Sequence, residues 1–352
     1  MRLLLVVLLT LSTQLIWAGG FKQKDLIYEV NLMDRTNDEF NVTLTLKKSL
    51  SAENNIFQFA ATAPGTYQTM NIGRFVTSFA AYDKKGNLLS VDSLGVNQYQ
   101  LNDPELVSTI NYRIKETWDT PREGPSVYRM CGTSIEDDHV LINGQAVFGY
   151  FKGMQAQPFL IELNYPESWV LGTALSTNKK GYYEAQSYDH IVDSPILLGN
   201  LSKASTTFNE TTVELYTYSK TGLISSEDLL QSMTAMLESA DAFMEGMPVD
   251  RYTFLFHFED QSWGAWEHSY SSEYVYQEAE LTPEYATRIT STAAHEFFQV
   301  VTPLNIHSEI IENFNFEVPV PSQHLRLYEG VTEWASVLMQ LRDSLIGQQD
   351  YH

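Results

Sequence analysis

From about residue 25 to residue 220, apolar residues recur at every second position. Leu26, Tyr28, Val30 and Leu32 alternate with polar or smaller neighbours, and Phe40, Val42, Leu44 and Leu46 do the same. Ile110, Tyr112 and Ile114 repeat the pattern, as do Phe159, Ile161, Leu163 and Tyr165. A period of two sends alternate side chains to opposite faces, so each run reads as a strand with one buried and one wet face. Turn formers stand between the runs: Pro64-Gly65, residues 83–87 (Asp-Lys-Lys-Gly-Asn) and Asn143-Gly144. Many short strands joined in this way predict an antiparallel β-sandwich.

The period then changes. Leu229, Leu230, Met233, Met236, Leu237, Ala240, Phe243 and Met244 form a stripe of helical spacing. Ser226 is placed to cap that helix, and Gly246 and Pro248 to end it. Residues 251–258 predict a strand, with Tyr252, Phe254, Phe256 and Phe258 on one face. Thr282-Pro283-Glu284 opens a second helix: a capping hydroxyl, a proline where no N–H is needed, and an acid suited to the dipole. It is expected to run to about Val301. A third helix begins near Leu327 and carries Glu329 and Glu333. The fold class is therefore α+β. A β-sandwich over residues 19–215 precedes a second domain over residues 216–352.

Composition narrows the function classes. A formal net charge of −22 gives a surface that repels phosphate backbones, which argues against nucleic acid as a partner. The first 18 residues join Arg2 to an apolar core at residues 3–11 and end at Ala18, the pattern of a cleaved secretory signal. The apolar run is too short for a stable membrane span, so a secreted or periplasmic location is expected. Cys131 is the only cysteine, so no internal disulfide supports the exported chain, and burial as a small apolar residue is expected of it.

The chemistry gathers at His295-Glu296. On a helix, residues i and i+4 lie on one face, and His-Glu-x-x-His uses that spacing to aim two imidazoles at one zinc ion. The glutamate beside the first histidine then takes a proton from metal-bound water. A third ligand often comes from a following helix, where Glu329 and Glu333 stand. The pair His-Glu alone is a weak signal, and a solvated helix histidine is its bland alternative.

The wider stretch TAAHEFFQVVTPLNIHSEIIENFNFEVPVPSQHLRLYEGVTEWAS, residues 292–336, resembles the glycyl aminopeptidase family of zinc metallopeptidases, which has a thermolysin-like catalytic domain. Trp263-Gly-Ala-Trp-Glu-His-Ser269 and the segment around Asp193-Ser194-Pro195 resemble two further motifs of that family. The resemblance implies that His295 is the first zinc ligand, Glu296 the general base and Glu329 the third ligand. It implies that Glu333 orients a ligand imidazole and that Glu267 holds the free α-amine of a peptide substrate. Small first residues, glycine or alanine, are the implied substrates.

Two departures qualify this. Gln299 stands at the second ligand position, and a neutral amide oxygen is a poorer donor to zinc than imidazole. His307 and His324 are nearby in sequence but lack the i+4 spacing. The chain also ends at His352, whereas relatives continue into a helical subdomain and usually a PDZ-like domain, so the resemblance implies a catalytic domain incomplete at its C-terminus. The expected function is an exported metallopeptidase that removes residues from peptide N-termini through a zinc-bound water, impaired by Gln299. The alternative is a non-catalytic descendant that binds peptides or a partner.

Overall fold

The computed structural model describes residues 22–121 and 123–347. The segment read as a signal, residues 1–18, lies outside them. Among the described residues no helix is long and apolar enough to cross a membrane.

The alternating runs form strands. Leu26–Asn31 lies at the centre of an eight-stranded sheet, antiparallel to Glu39–Leu46 on one side and parallel to Phe159–Asn164 on the other. Thr109–Lys115 and Val76–Tyr82 extend it antiparallel. In Glu39–Leu46 the residues Phe40, Val42, Leu44 and Leu46 are buried, as their period requires. Their face packs on a four-stranded sheet that includes Ile56–Gln58 and Gln98–Leu101, with Phe57, Phe59 and Tyr112 in ring contact between the layers. The N-terminal part is thus sandwich-like, and the pairing of Leu26–Asn31 with Phe159–Asn164 is its parallel exception.

A second four-stranded sheet, containing Val170–Thr173, Ile196–Gly199 and His139–Ile142, joins this part to the rest. It covers one face of a five-stranded sheet in the order Ser202–Phe208, Thr211–Ser219, Arg251–Glu259, Ser271–Gln277, Trp263–Glu267. Leu141 and Leu197 meet Tyr216, Leu255 and Val275 across that contact. Strand Thr211–Ser219, within which the sequence places the change of domain, pairs in parallel with Arg251–Glu259 and belongs to the five-stranded sheet.

The other face of that sheet is covered by two helices, Ser226–Met244 and Pro283–Phe298, on which a third packs. Ser226–Met244 begins one residue after its cap: Ser225 accepts from the Asp228 N–H, and Asp228 returns the bond in a capping box. Glu245 in the left-handed conformation ends it. Pro283–Phe298 starts at the cap Thr282. Leu325–Arg342 is the last helix. Strand Arg251–Glu259 is buried on both sides, with Tyr252, Phe254, Phe256 and Phe258 toward the helices and Leu255 toward the sandwich. A strand covered on both faces in this way is the usual state of a parallel sheet.

Candidate active site

The last turn of Pro283–Phe298 carries His295 and Glu296. Gln299 is the C-terminal cap, and its backbone stays helical at φ −66° and ψ −17°. Its N–H donates to the His295 carbonyl at 3.2 Å, so residue 299 sits one turn beyond residue 295 on the same face. Phe297 and Phe298 point into the core under the five-stranded sheet and fix the rotation of the helix.

Leu325–Arg342 packs beside this helix. Thr332 Oγ1 donates to the Thr302 carbonyl at 2.9 Å, and the Ser308 N–H donates to the Tyr328 hydroxyl at 3.0 Å. The two contacts tie the helix to the chain that leaves Gln299. They bring Glu329 and Glu333, one turn apart, to the imidazole of His295. His295 Nδ1 lies 2.8 Å from Glu333 Oε2, and Nε2 lies 3.3 Å from Glu329 Oε2. Gln299 Nε2 donates to Glu329 Oε1 at 3.4 Å, while Gln299 Oε1 is buried without a partner.

Glu267 enters from the edge strand Trp263–Glu267. The turn after it is held by Asp193, whose carboxylate accepts the Ser269 N–H at 3.1 and 3.2 Å and lies 3.3 Å from His268 Nδ1. The Asp-Ser-Pro and Glu-His-Ser segments, 76 residues apart in sequence, therefore meet. A loop of the sandwich closes over Glu267. Gly65 has φ +71°, and a Cβ there would lie 3.2 Å from Glu267 Oε1 and 3.0 Å from the Trp266 indole nitrogen, so both the turn and the close approach require glycine. The connection between the two site helices is pinned to the sandwich: near the start of the same loop the Ala61 N–H donates to the Phe316 carbonyl at 2.7 Å, and Lys152, from another turn, pairs with Glu317 at 2.9 Å.

Charge follows from this crowding. Burial opposes the charged form of His295, but the hydrogen bonds it donates to Glu329 and Glu333 and the charges of Glu296 and Glu329 outweigh it and lift the pKa to about 9. Burial raises both Glu296 and Glu267 above the usual carboxylate range. Glu329 pushes both further, and Glu296 adds to the effect on Glu267. Two carboxylates, Glu329 and Glu333, touch the imidazole, and Glu296 and Glu267 are close enough to couple to it through charge.

Zinc can be weighed against this donor set. Two donors about 2 Å from one tetrahedral ion stand roughly 3.3 Å apart, the separation of His295 Nε2 from Glu329 Oε2. At position 299, one helical turn from His295, the side chain offers an amide oxygen that has no hydrogen-bond partner. Among the described residues no group of three His, Cys, Asp or Glu side chains is disposed to hold a metal. The set falls short of three strong donors: a cation would displace the proton from His295, take Glu329 beside it, and find only a weak amide oxygen at position 299. His307 and His324 add nothing: His307 Nδ1 meets the Pro303 and Leu304 carbonyls, and His324 precedes the last helix.

The N-terminal part of the chain, residues 27–200, matches the Peptidase M61 N-terminal domain, and residues 288–352 match M61 glycyl aminopeptidase. The chain belongs to the M61 glycyl aminopeptidase family. No curated protein matches it. A crystal structure of an aminopeptidase N family protein from Idiomarina loihiensis superposes with a TM-score of 0.78 at 19% identity, a likeness of fold. The match covers 93% of this chain and 56% of that one, so the chain spans little more than half of the solved relative's length. In this M61 chain, the contribution of the sandwich to the cleft was hidden in sequence. Pro64-Gly65 reads only as a turn, and nothing in the spacing links Tyr67 to Glu267, although both line the same cavity with Tyr328 and Glu329.

Proposed function

We propose that this chain is an exported M61-family peptidase that binds the free N-terminus of peptides in the cleft and, with Gln299 in place of a ligand histidine, holds zinc weakly and hydrolyses slowly. The observation that carries the reading is the approach of His295 Nε2 to Glu329 Oε2 at 3.3 Å, with Glu267 in the same cleft. His295, Glu329 and the Gln299 amide oxygen are the residues that would hold zinc, which when bound polarises the scissile carbonyl and lowers the pKa of water. Glu296, buried and kept above the ordinary carboxylate range, is suited to take a proton from water near neutral pH. Glu267 pairs with the α-ammonium of the substrate and selects chain ends over internal bonds. Glu333 accepts from His295 Nδ1 and leaves Nε2 facing the site.

Gln299 favours a second reading, a cleft that binds peptide ends without cleaving them. Both readings are tested with purified wild-type, Gln299→His and Glu296→Gln proteins, by zinc titration calorimetry and by hydrolysis of aminoacyl amides with zinc. Gln299→His is expected to tighten zinc binding by at least about 100-fold, more than outer partners of a metal ligand usually contribute. Unchanged affinity rejects the weakened-site account. Wild-type turnover no greater than that of Glu296→Gln selects the non-catalytic binder.

A further inference from the structure

The cleft continues past its carboxylates into an apolar cavity of about 100 Å³. Glu267 and Glu329 are part of its lining. Ile310, Ile311, Phe314, Val320 and Leu325, from the connection between the two site helices and the start of the last helix, line it too, together with Tyr67 of the sandwich. Ile310, Ile311, Phe314 and Leu325 are each half-buried, so their apolar surface has more to gain from an occupant. The cavity wall is anchored, since Phe316 is buried against Tyr150 and Tyr188 and the Ala61 N–H holds its carbonyl.

The family resemblance points to glycine or alanine as the first residue. Such a residue would leave this cavity to water, at the cost of the apolar contact that such pockets provide. We propose, building on the N-terminal recognition above, that the occupant is a peptide whose first residue carries a bulky apolar side chain, of the leucine or phenylalanine kind. Its α-ammonium lies against Glu267, and its side chain fills the cavity. Charge complementarity places the amine at Glu267, and the apolar residues of the lining are what remains to meet the side chain.

The test uses the whole chain and measures the affinity of leucinamide, phenylalaninamide, glycinamide and N-acetyl-leucinamide by calorimetry or ligand-observed NMR. Leucinamide or phenylalaninamide is expected to bind at least about tenfold tighter than glycinamide, the low end of what added methylene groups give in an apolar pocket. N-acetyl-leucinamide is expected to bind at least about tenfold more weakly than leucinamide, because its amine carries no charge. Glycinamide binding as well as leucinamide overturns this inference and leaves amine recognition standing. No binding by any amide, or equal binding of the acetylated one, overturns the amine recognition and this inference with it. Val320→Trp, at an exposed lining position where folding is not at stake, is expected to shrink the leucinamide-to-glycinamide ratio. An unchanged ratio places the side chain elsewhere and overturns the assignment.

Discussion

His257 shows how much a single side chain can owe to its surroundings. It is fully buried between the two parts of the molecule, stacked on Tyr218, with the His139 ring 4.7 Å away and the Trp118 ring 4.9 Å away. Neither of its ring nitrogens has a partner. Burial lowers its pKa well below the ordinary value, and His139 and Arg129 lower it further. The unfolded chain therefore binds a proton below about pH 6.5 that the folded chain refuses. Stability from this group is present above that pH and lost as pH falls toward the folded pKa, at no more than about 1.4 kcal/mol per pH unit. His257→Phe is expected to flatten the fall in urea midpoint between pH 7.5 and 5.5 relative to wild type. An equal fall in both proteins would assign the acid sensitivity to other groups. The sequence shows His257 as one more inward or outward position of a strand. Only the packing of a second sheet against that strand makes it a buried base.

Among elements, the connection from Gln299 to His324 departs most from what its sequence suggests. It contains one short helix, Glu309–Glu312, and carries little periodic pattern. Its hold comes from Phe316, 2% exposed, whose ring meets Phe314, Tyr150 and Tyr188. Removing that ring leaves a cavity in the sandwich core and frees the wall of the cleft. Phe316→Ala is expected to cost about 3–5 kcal/mol in urea unfolding, the usual range for a buried phenylalanine. A loss below about 1 kcal/mol would mean that the connection is held by Lys152–Glu317 and the backbone bonds instead. The helices around it, by contrast, were legible in sequence. Thr282-Pro283 marks a start, the stripe from Leu229 to Met244 marks a buried face, and both follow from local geometry. The end of the second helix was read three residues too long, because Val300 and Val301 continue the apolar pattern beyond the last helical hydrogen bonds.

At the scale of the molecule, the site exists because two bodies of structure meet. The small sheet containing Val170–Thr173 lies against the five-stranded sheet, and Gly172 faces Tyr216 there: a Cβ would fall 2.3 Å from the ring carbon Cγ. Gly172→Ala is expected to destabilise the protein by about 1–3 kcal/mol through overpacking of a filled interface. Urea unfolding checks the loss, and a neutral result would show that the interface yields without cost.

The sequence by itself determined the strands of the sandwich, the helix starts, the residues that stand at positions 295, 299 and 329, and the family, because each rests on local period or on residue identity. The alignment of His295 with Gln299, and of Glu329 with Glu333, follows from helical spacing alone. Tertiary structure decided that these two pairs face each other at 3.3 and 2.8 Å. It also decided that Asp193 steadies the turn after Glu267, and that a loop and an aromatic anchor from the sandwich complete the cleft. Contacts between residues hundreds of positions apart leave no period in the chain. They arise only when the buried faces of separate elements are packed together.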